Sequence, residues 1–228
     1  MHEDKPNCKY ITEDRYKDYD IEISRVDGGV VKMVINDNDY YGWQHPKFVF
    51  PTDLTMLEYH TNSDRYYDDI EFPASLHTLK IKSAKFCSGI YNITLPLSLH
   101  TLKLTNFTVK TTTVLPPNLC VLIVNKQSLY THVDSYAKFV LPLPRTLRTL
   151  CLPLFDSDSL DNLPSELEEL IIVCMTRNMK QNITNLPITL KKIMVLGVLY
   201  YDYVVNKITK IPYGCEIVKV GSEYYDTL

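Results

Sequence analysis

The sequence predicts a repeat solenoid in which short parallel β-strands stack into one sheet. Eight segments share one pattern: a hydrophobic residue, a proline, and apolar residues three, six and eight positions after the proline. The prolines recur every 20 to 28 residues, at Pro51, Pro73, Pro96, Pro116, Pro144, Pro164, Pro187 and Pro212. Self-similarity at such a period with an L-x-x-L-x-L core is the signature of leucine-rich repeats. Because parallel crossovers are nearly always right-handed, we predict an α/β-type, right-handed leucine-rich-repeat solenoid with an irregular or short-helical convex side.

The N-terminal region, 1–49, is predicted to cap this stack. The segments IEISRV and VVKMVI flank Gly28 and Gly29 and alternate apolar with polar residues, which is typical of two strands joined by a tight turn. Terminal repeats are atypical because they must cover an otherwise exposed cross-section of the core. We therefore assign 31–35 to the first rung and Trp43, the single tryptophan, to the cap.

The repeats occupy 50–221, and each proline should lie just before its strand, because proline lacks the N–H that a central ladder needs. In the unit that begins at Leu163, side chains alternate between the two faces of the strand. Leu167, Leu170 and Ile172 are predicted to point inward, into a core that no single repeat could bury alone.

The connections between the strands are rich in Asn, Thr, Asp and Tyr. We expect them to be irregular, extended or one-turn helical, with a short helix around 129–139 in the longest. The last unit keeps apolar character at Cys215, at Ile217 or Val218, and at Val220. It is predicted to close the stack before a C-terminal tail, 222–228.

Composition narrows the classes of partner. The net charge of −3 gives no general attraction to nucleic acid or anionic lipid. The six cysteines include no C-x-x-C pair, which favours reduced thiols over a zinc ribbon or a disulfide framework. The charged N-terminus lacks the apolar core of a signal peptide, and no apolar run reaches the length of a membrane span. We predict a cytoplasmic protein that binds neither membrane nor nucleic acid.

Three units, LPLSLHTLKL, LPRTLRTLCL and LPITLKKIMV, resemble the FNIP-type repeat, a leucine-rich-repeat variant abundant in slime moulds and in giant DNA viruses that infect amoebae. The strand motif of that family is a proline followed by S-L-x-x-L-x-L/F, and the resemblance covers 50–221. It implies a leucine-rich-repeat fold and a viral or amoebal origin, with the host cytoplasm as the location of a viral protein. Family members often carry an F-box, which implies substrate recruitment to a ubiquitin ligase. Residues 1–49 contain no recognisable F-box.

The open, concave face of the sheet should display its side chains in columns, and two zones emerge from them. The cationic zone comprises His77, Lys80, Lys82, His100 and Lys103. The apolar zone comprises Ile123, Cys151, Ile171, Val173, Met194 and Leu196. A contiguous exposed apolar patch usually marks an interaction site, so we predict that a protein partner or a second copy of the chain binds there. The alternative is that a long loop or the C-terminal tail covers the apolar zone.

The lysines of the cationic zone could hold an acidic peptide or a phosphate, or they could form a solvated surface. We predict that Lys80, Lys82 and Lys103 contribute to partner binding. The same count from the proline places Glu216, Lys219 and Gly221 in the concave columns of the last unit.

One column, four positions after the proline, alternates in sign along its last four members: Arg148, Glu168, Lys191 and Glu216. Opposite charges on neighbouring strands attract, and this pattern supports the predicted register.

Signatures of catalysis are weak. His77, His100 and Cys120 fall on neighbouring rungs and are legitimate metal ligands, but no fourth ligand is in register. No phosphate-binding loop, G-x-S-x-G or H-E-x-x-H motif is present. We predict a non-enzymatic protein-interaction scaffold with no cofactor, metal or catalytic residue and with a host protein as one candidate partner. The alternatives are a self-associating homodimer and a substrate-recruiting subunit of a ubiquitin ligase.

Overall fold

The computed structural model describes residues 19–37, 50–61, 70–83, 94–106, 114–125, 142–154, 160, 162–174, 182–197, 201–221 and 224. These residues contain ten strands and one helix: β1 (Tyr19–Val26), β2 (Gly29–Asp37), β3 (Met56–Thr61), β4 (Thr78–Ser83), β5 (Thr101–Thr105), β6 (Val121–Asn125), β7 (Thr149–Leu154), β8 (Glu169–Cys174), β9 (Lys192–Leu196), α1 (Tyr201–Lys207) and β10 (Glu216–Val220). The strands form one sheet in chain order. β1 is antiparallel to β2, whereas each later strand pairs in parallel with the one before it. The predicted stack of short parallel strands is confirmed.

The stack begins with the predicted hairpin, and β2 forms the first parallel rung against β3. The turn lies one residue earlier than we predicted, because Gly29 already pairs with Val26. Asp27 and Gly28 have φ angles of 50° and 83°. A two-residue turn with positive φ at both positions matches the twist of the flanking strands and favours Asp-Gly.

Each proline stands at a tight turn that leads into its strand. The backbone N–H three residues later donates back to the proline carbonyl, as Leu76 does to Pro73 and Leu99 does to Pro96, both at 3.1 Å. The turn points the side chain of that later residue into the core. Leu76 and Leu99 are fully buried. The proline therefore sets where each inward-pointing series begins.

The inward positions form one continuous core. Leu167, Leu170 and Ile172 of the unit that begins at Leu163 are at most 1% exposed, as predicted. Equivalent leucines, isoleucines and valines from β2 to β9 join the same cluster. Burial of an aliphatic side chain contributes about 1.5–3 kcal/mol, so three such residues per rung make the stacking of neighbours the main source of stability.

Hydroxyl groups two positions after the prolines tie neighbouring units together. Their Oγ atoms donate to the carbonyl of the inward leucine of the preceding unit: Ser75 to Leu54 and Ser98 to Leu76 at 2.7 Å, Thr146 to Leu119 and Thr189 to Leu167 at 2.8 Å. These carbonyls lie in the turns, outside the strand ladders, and a buried carbonyl without a partner is costly. The repeated Ser or Thr satisfies them.

The last unit departs from the predicted register by one residue. β10 pairs Glu216 with Lys192, Ile217 with Ile193 and Val218 with Met194. Ile217 and Cys215 pack on the main core, whereas Val218 and Val220 lie on the concave side. The assignment of Lys219 and Gly221 to concave columns is therefore wrong.

The physical reason is a missing residue at the start of β10. In other units two successive N–H groups donate to the same carbonyl of the preceding unit, as Lys191 and Lys192 do to Glu168. Glu216 N–H donates to the Lys191 carbonyl and already pairs with Lys192. Because the side-chain period of a strand is two, this shift of one residue moves every later side chain to the other face.

Helix α1 lies in the connection between β9 and β10, where we predicted nothing longer than one turn. Val204 anchors it, since its side chain is fully buried in the main core. Asp202 in its first turn and Lys207 in its last turn suit the helix dipole. Lys219 of β10 stands over the ring of Tyr201 at 5.2 Å from its centroid, so the helix helps to cover the final rung.

The predicted helix at 129–139 and the cap residue Trp43 lie outside the described residues. Among the residues that the structure describes, no helix is long and apolar enough to cross a membrane.

Candidate protein-binding face

The concave face is formed by alternate residues of the strands, and its columns follow from the pairing register. Lys80 of β4 lies directly beside Lys103 of β5. Further along the same column, Cys151 pairs with Ile171, and Ile171 pairs with Met194. The structure thus places the lysines of the cationic zone and the members of the apolar zone on one continuous surface.

Glu58 of β3 organises one border of the cationic zone. Its carboxylate accepts from His60 Nε2 at 2.9 Å and from Lys80 Nζ at 3.5 Å. Burial alone would raise the pKa of Glu58, but the hydrogen bond from His60 and the charge of Lys80 outweigh it and lower the pKa. Glu58 therefore stays ionised and offsets part of the charge of Lys80.

The surroundings of Lys103 disfavour its positive charge. It is half-buried, and its pKa is lowered by burial and then by the charge of Lys80, with smaller opposing effects from Glu58 and Cys151. Like charges directly opposite one another on neighbouring strands are destabilising. Among the described residues, neither Lys103 nor Lys82 has an ion-pair partner. Counted over the described residues, the zone therefore carries more positive than negative charge.

The two histidines of the cationic zone stack on each other directly before strands β4 and β5. The rings of His77 and His100 are 5.2 Å apart and nearly parallel. Each Nδ1 lies 2.7 Å from the carbonyl of the serine two residues earlier, and Cys120 Sγ contacts the Asn118 carbonyl at 3.4 Å. No group of three or more metal-ligating side chains occurs in the described part of the chain.

The predicted ladder of alternating charge is present for Arg148, Glu168 and Lys191. Glu216, its fourth predicted member, is misplaced, because it pairs with Lys192 and not with Lys191. Arg148 Nη1 donates to Glu168 Oε1 at 2.5 Å, and Lys191 Nζ donates to Glu168 Oε2 at 2.6 Å. The three residues occupy equivalent positions in successive units, which confirms the register deduced from the prolines in this part of the stack.

The ladder should make the stability of the protein depend on pH, and this dependence can be tested. Hydrogen bonds from Lys191 and then Arg148 lower the pKa of Glu168 below its usual value. The stability from this group is present above the unfolded-state pKa and is lost as the pH falls through the folded-state pKa. We expect Glu168→Gln to be less stable than wild type at neutral pH, with the difference vanishing in acid. Urea unfolding midpoints across this pH range measure it. Glu22→Gln, a control at an exposed position of β1, removes a carboxylate outside the ladder. A difference between Glu168→Gln and wild type that does not shrink in acid would contradict the ladder's role.

All six members of the apolar zone line the concave face, as the register predicts, but the expectation that they see solvent is wrong. Ile123, Cys151, Ile171, Val173, Met194 and Leu196 are between 0% and 4% exposed. They form a second hydrophobic cluster, distinct from the main core, against which Val121, Val218, Val220 and Tyr224 pack. Both faces of the sheet are thus apolar and buried from β6 to β9.

Comparison with solved structures identifies this architecture. The structure of CroV588, described as a novel circular leucine-rich-repeat protein and coming from a giant virus, covers 80% of this chain at 24% sequence identity with a TM-score of 0.55. The fold is a leucine-rich-repeat solenoid. The chain spans 26% of the length of CroV588, and the likeness concerns the fold alone. No family model and no curated protein matches the sequence, so the resemblance to FNIP-type repeats stays a prediction.

Tyr224, Val218 and Val220 are members of the concave face of this solenoid that the sequence analysis missed. The two valines are misplaced by the count from Pro212, although the alternation of Cys215, Ile217 and Lys219 with them was available as a signal. Tyr224 lies after the last strand, where no periodicity constrains its position.

Cys151 lies at the centre of the second cluster of the solenoid. Burial raises the pKa of its thiol to about 12, although the charge of Lys103 opposes this effect. The thiol is therefore protonated at neutral pH, and only the thiolate is a reactive nucleophile. This residue is therefore suited to packing and not to nucleophilic chemistry.

Proposed function

We propose that this solenoid is a non-enzymatic protein-interaction scaffold that presents its concave sheet to an acidic segment of a protein partner. The observation that carries this proposal is the cross-strand pair of Lys80 and Lys103, with Lys82 beside it. Concave sheets of repeat proteins are extended binding surfaces, and an excess of one charge on such a surface selects a partner of the opposite charge.

The electrostatics of the pair explain why an anionic partner should bind. Neighbouring strands are about 4.8 Å apart, so a carboxylate placed between the two ammonium groups can accept a hydrogen bond from each. Such charge-assisted bonds are about twice as strong as neutral ones. Binding would relieve the repulsion between Lys80 and Lys103 and return Lys103 toward its ordinary pKa.

The other two candidate functions have less support. Self-association through the apolar zone needs that zone to be open to a second copy, and its side chains are buried. Recruitment to a ubiquitin ligase is implied by the family resemblance, while the residues that would precede the repeats, 1–18 and 38–49, lie outside the described part of the chain. The scaffold function needs only the cationic zone, where Lys82 is exposed and Lys80 and Lys103 are partly exposed.

Charge reversal in the cationic zone tests this proposal. We expect a fluorescently labelled peptide rich in aspartate and glutamate to bind the wild-type solenoid and to raise its fluorescence anisotropy. The double variant Lys80→Glu, Lys103→Glu should weaken binding at least tenfold, an order-of-magnitude figure based on about 1.5–3 kcal/mol for each hydrogen bond to a charged group. Binding should also weaken steeply as salt is added.

The matched control is the double variant Arg145→Glu, Lys210→Glu. It makes the same change in net charge at two exposed positions outside the zone, so it should lose only the small effect of general charge. Equal loss in the two double variants would show nonspecific attraction and would overturn the assignment of the cationic zone.

A further inference from the structure

Lys82 adds a third ammonium group to the pair formed by Lys80 and Lys103. It lies two residues after Lys80 on β4, so the two side chains leave the sheet on the same face, about 6.6 Å apart along the strand. Lys103 lies beside Lys80 on β5, one strand spacing away. The three lysines thus form a triangle on the concave face, and their long, flexible side chains allow the three ammonium groups to meet one ligand.

Glu58 offsets one of these three charges. Its carboxylate accepts from His60 Nε2 at 2.9 Å, whereas Lys80 Nζ lies at 3.5 Å, which is longer than the usual hydrogen bond from nitrogen. Lys80 is therefore weakly held and can turn to a ligand while His60 still satisfies the carboxylate. Within this group, three lysines against one carboxylate leave a net of two positive charges when the histidine is neutral.

Polar side chains flank Lys82 on the neighbouring strands. In the pairing register it lies between His60 of β3 and Thr105 of β5, on the same face of the sheet. Lys82 itself is exposed, and Thr105 is half-buried. Ile123, which pairs with Lys103, marks the boundary with the apolar zone. The surroundings of Lys82 thus suit a strongly hydrated anion better than an apolar side chain.

A carboxylate and a phosphate monoester differ in how many of these donors they can use. A carboxylate is planar and offers two oxygens, which suits the pair of Lys80 and Lys103. A phosphate monoester offers three strong acceptor oxygens and carries a charge of about −1.5 to −2 at neutral pH. It can therefore accept a hydrogen bond from each of the three lysines, and its charge matches the net charge of the group.

We infer that the preferred ligand of the cationic zone is a phosphorylated side chain of the protein partner, with its phosphate group bound by Lys80, Lys82 and Lys103 together. This inference deepens the proposed function and rests on it, since the same surface binds the acidic segment. Lys82 is the residue that distinguishes phosphate from carboxylate, because it supplies the third donor. Phosphorylation of the partner would then strengthen the interaction by adding charge-assisted hydrogen bonds.

The experiment compares two fluorescently labelled peptides that differ at one site, where the first has a phosphoserine and the second has a pair of aspartates of nearly equal charge. Fluorescence anisotropy at one fixed salt concentration gives the dissociation constant of each peptide for the full chain. We expect the phosphoserine peptide to bind about tenfold more tightly, an order-of-magnitude figure for one further hydrogen bond between charged groups. General electrostatic attraction cancels in the ratio of the two constants.

Variants of Lys82 test whether this preference comes from the third donor. Lys82→Gln should reduce the ratio of the two dissociation constants to about one, because two ammonium groups serve both ligands equally. Lys82→Arg keeps the charge and the phosphate-binding donors and should retain the ratio. Lys210→Gln, the same change at an exposed lysine outside the zone, should leave the ratio unchanged. Circular dichroism checks that each variant is folded.

Three outcomes would overturn the inference: equal affinity of the two peptides for wild type, a preference that survives Lys82→Gln, or an equal loss of preference in Lys210→Gln. Displacement of the phosphoserine peptide by free O-phosphoserine at equal concentration would also overturn it, because the site would then bind small phosphate esters and not a segment of a partner. Failure of the proposed function is distinguishable, since the two-aspartate peptide would then not bind at all, whereas failure of this inference alone leaves its binding intact.

Discussion

Replacement of Ile171 by aspartate is expected to destabilise the protein by about 4 kcal/mol or more. Ile171 is 1% exposed between Cys151 and Met194, in the second hydrophobic cluster. The substitution removes buried apolar area and places a carboxyl group where water cannot reach it. A loss of this size is a large part of the roughly 5–15 kcal/mol by which domains are stable.

The pH dependence of this variant gives a second sign of the same cause. In an apolar site the introduced carboxyl group favours its protonated form, so its folded-state pKa is raised above the unfolded value. The stability of the variant relative to wild type should therefore be greatest below the unfolded-state pKa and should fall as the pH rises through the folded-state pKa. This trend is opposite to the one expected from the Glu168 carboxylate.

Ile188 supplies the matched control. It lies in the turn that leads into β9 and is 91% exposed, so Ile188→Asp makes the same chemical change in water. We expect it to alter the free energy of unfolding by about 0.5 kcal/mol or less. Urea unfolding followed by circular dichroism measures both variants. Equal stability of the two would mean that the apolar zone is open to solvent and would restore it as a candidate surface for self-association.

The position of Ile171 shows which features of the fold can be predicted from the sequence. The period of the repeat assigns Ile171 to the concave face, and this assignment is right. The period also places Lys80 beside Lys103 and Arg148 beside Glu168, because one proline in each unit sets the start of the inward series. Columns are thus predictable wherever the same number of residues separates the proline from its strand.

The period of the repeat does not predict which residues cover a column of the concave face. Burial of the apolar zone involves Tyr224, which follows the last repeat and packs by tertiary contact with strands that precede it by dozens of residues. The register of β10 failed for a related reason, since the proline marks the turn and one residue is missing between that turn and the strand. Helix α1 depends on burial of Val204 against the core. Its own sequence is short and contains β-branched residues, so it does not predict a helix.

A cavity in a central rung should cost more than the same cavity in the terminal rung. Leu150 is fully buried on β7 between Leu122 and Leu170 of the neighbouring strands. Leu150→Ala should therefore cost about 2–5 kcal/mol, the range for large-to-small changes in packed cores. Ile217 on β10 is half-buried and has one neighbouring rung, at Ile193, so Ile217→Ala should cost about 1 kcal/mol, in keeping with its partial burial.

The shape of the unfolding curve distinguishes the two sites further. Each unit of a solenoid contacts only its neighbours, so its stability is a sum of unit and interface terms. A cavity at Leu150 weakens two interfaces in the middle of the stack and should reduce the slope of the urea transition, because the halves on either side can then unfold separately. A cavity at Ile217 frays one end and should leave the slope nearly unchanged. Equal losses and equal slopes would contradict this view, because they would mean that the ten strands unfold as one block in which position along the stack has no effect.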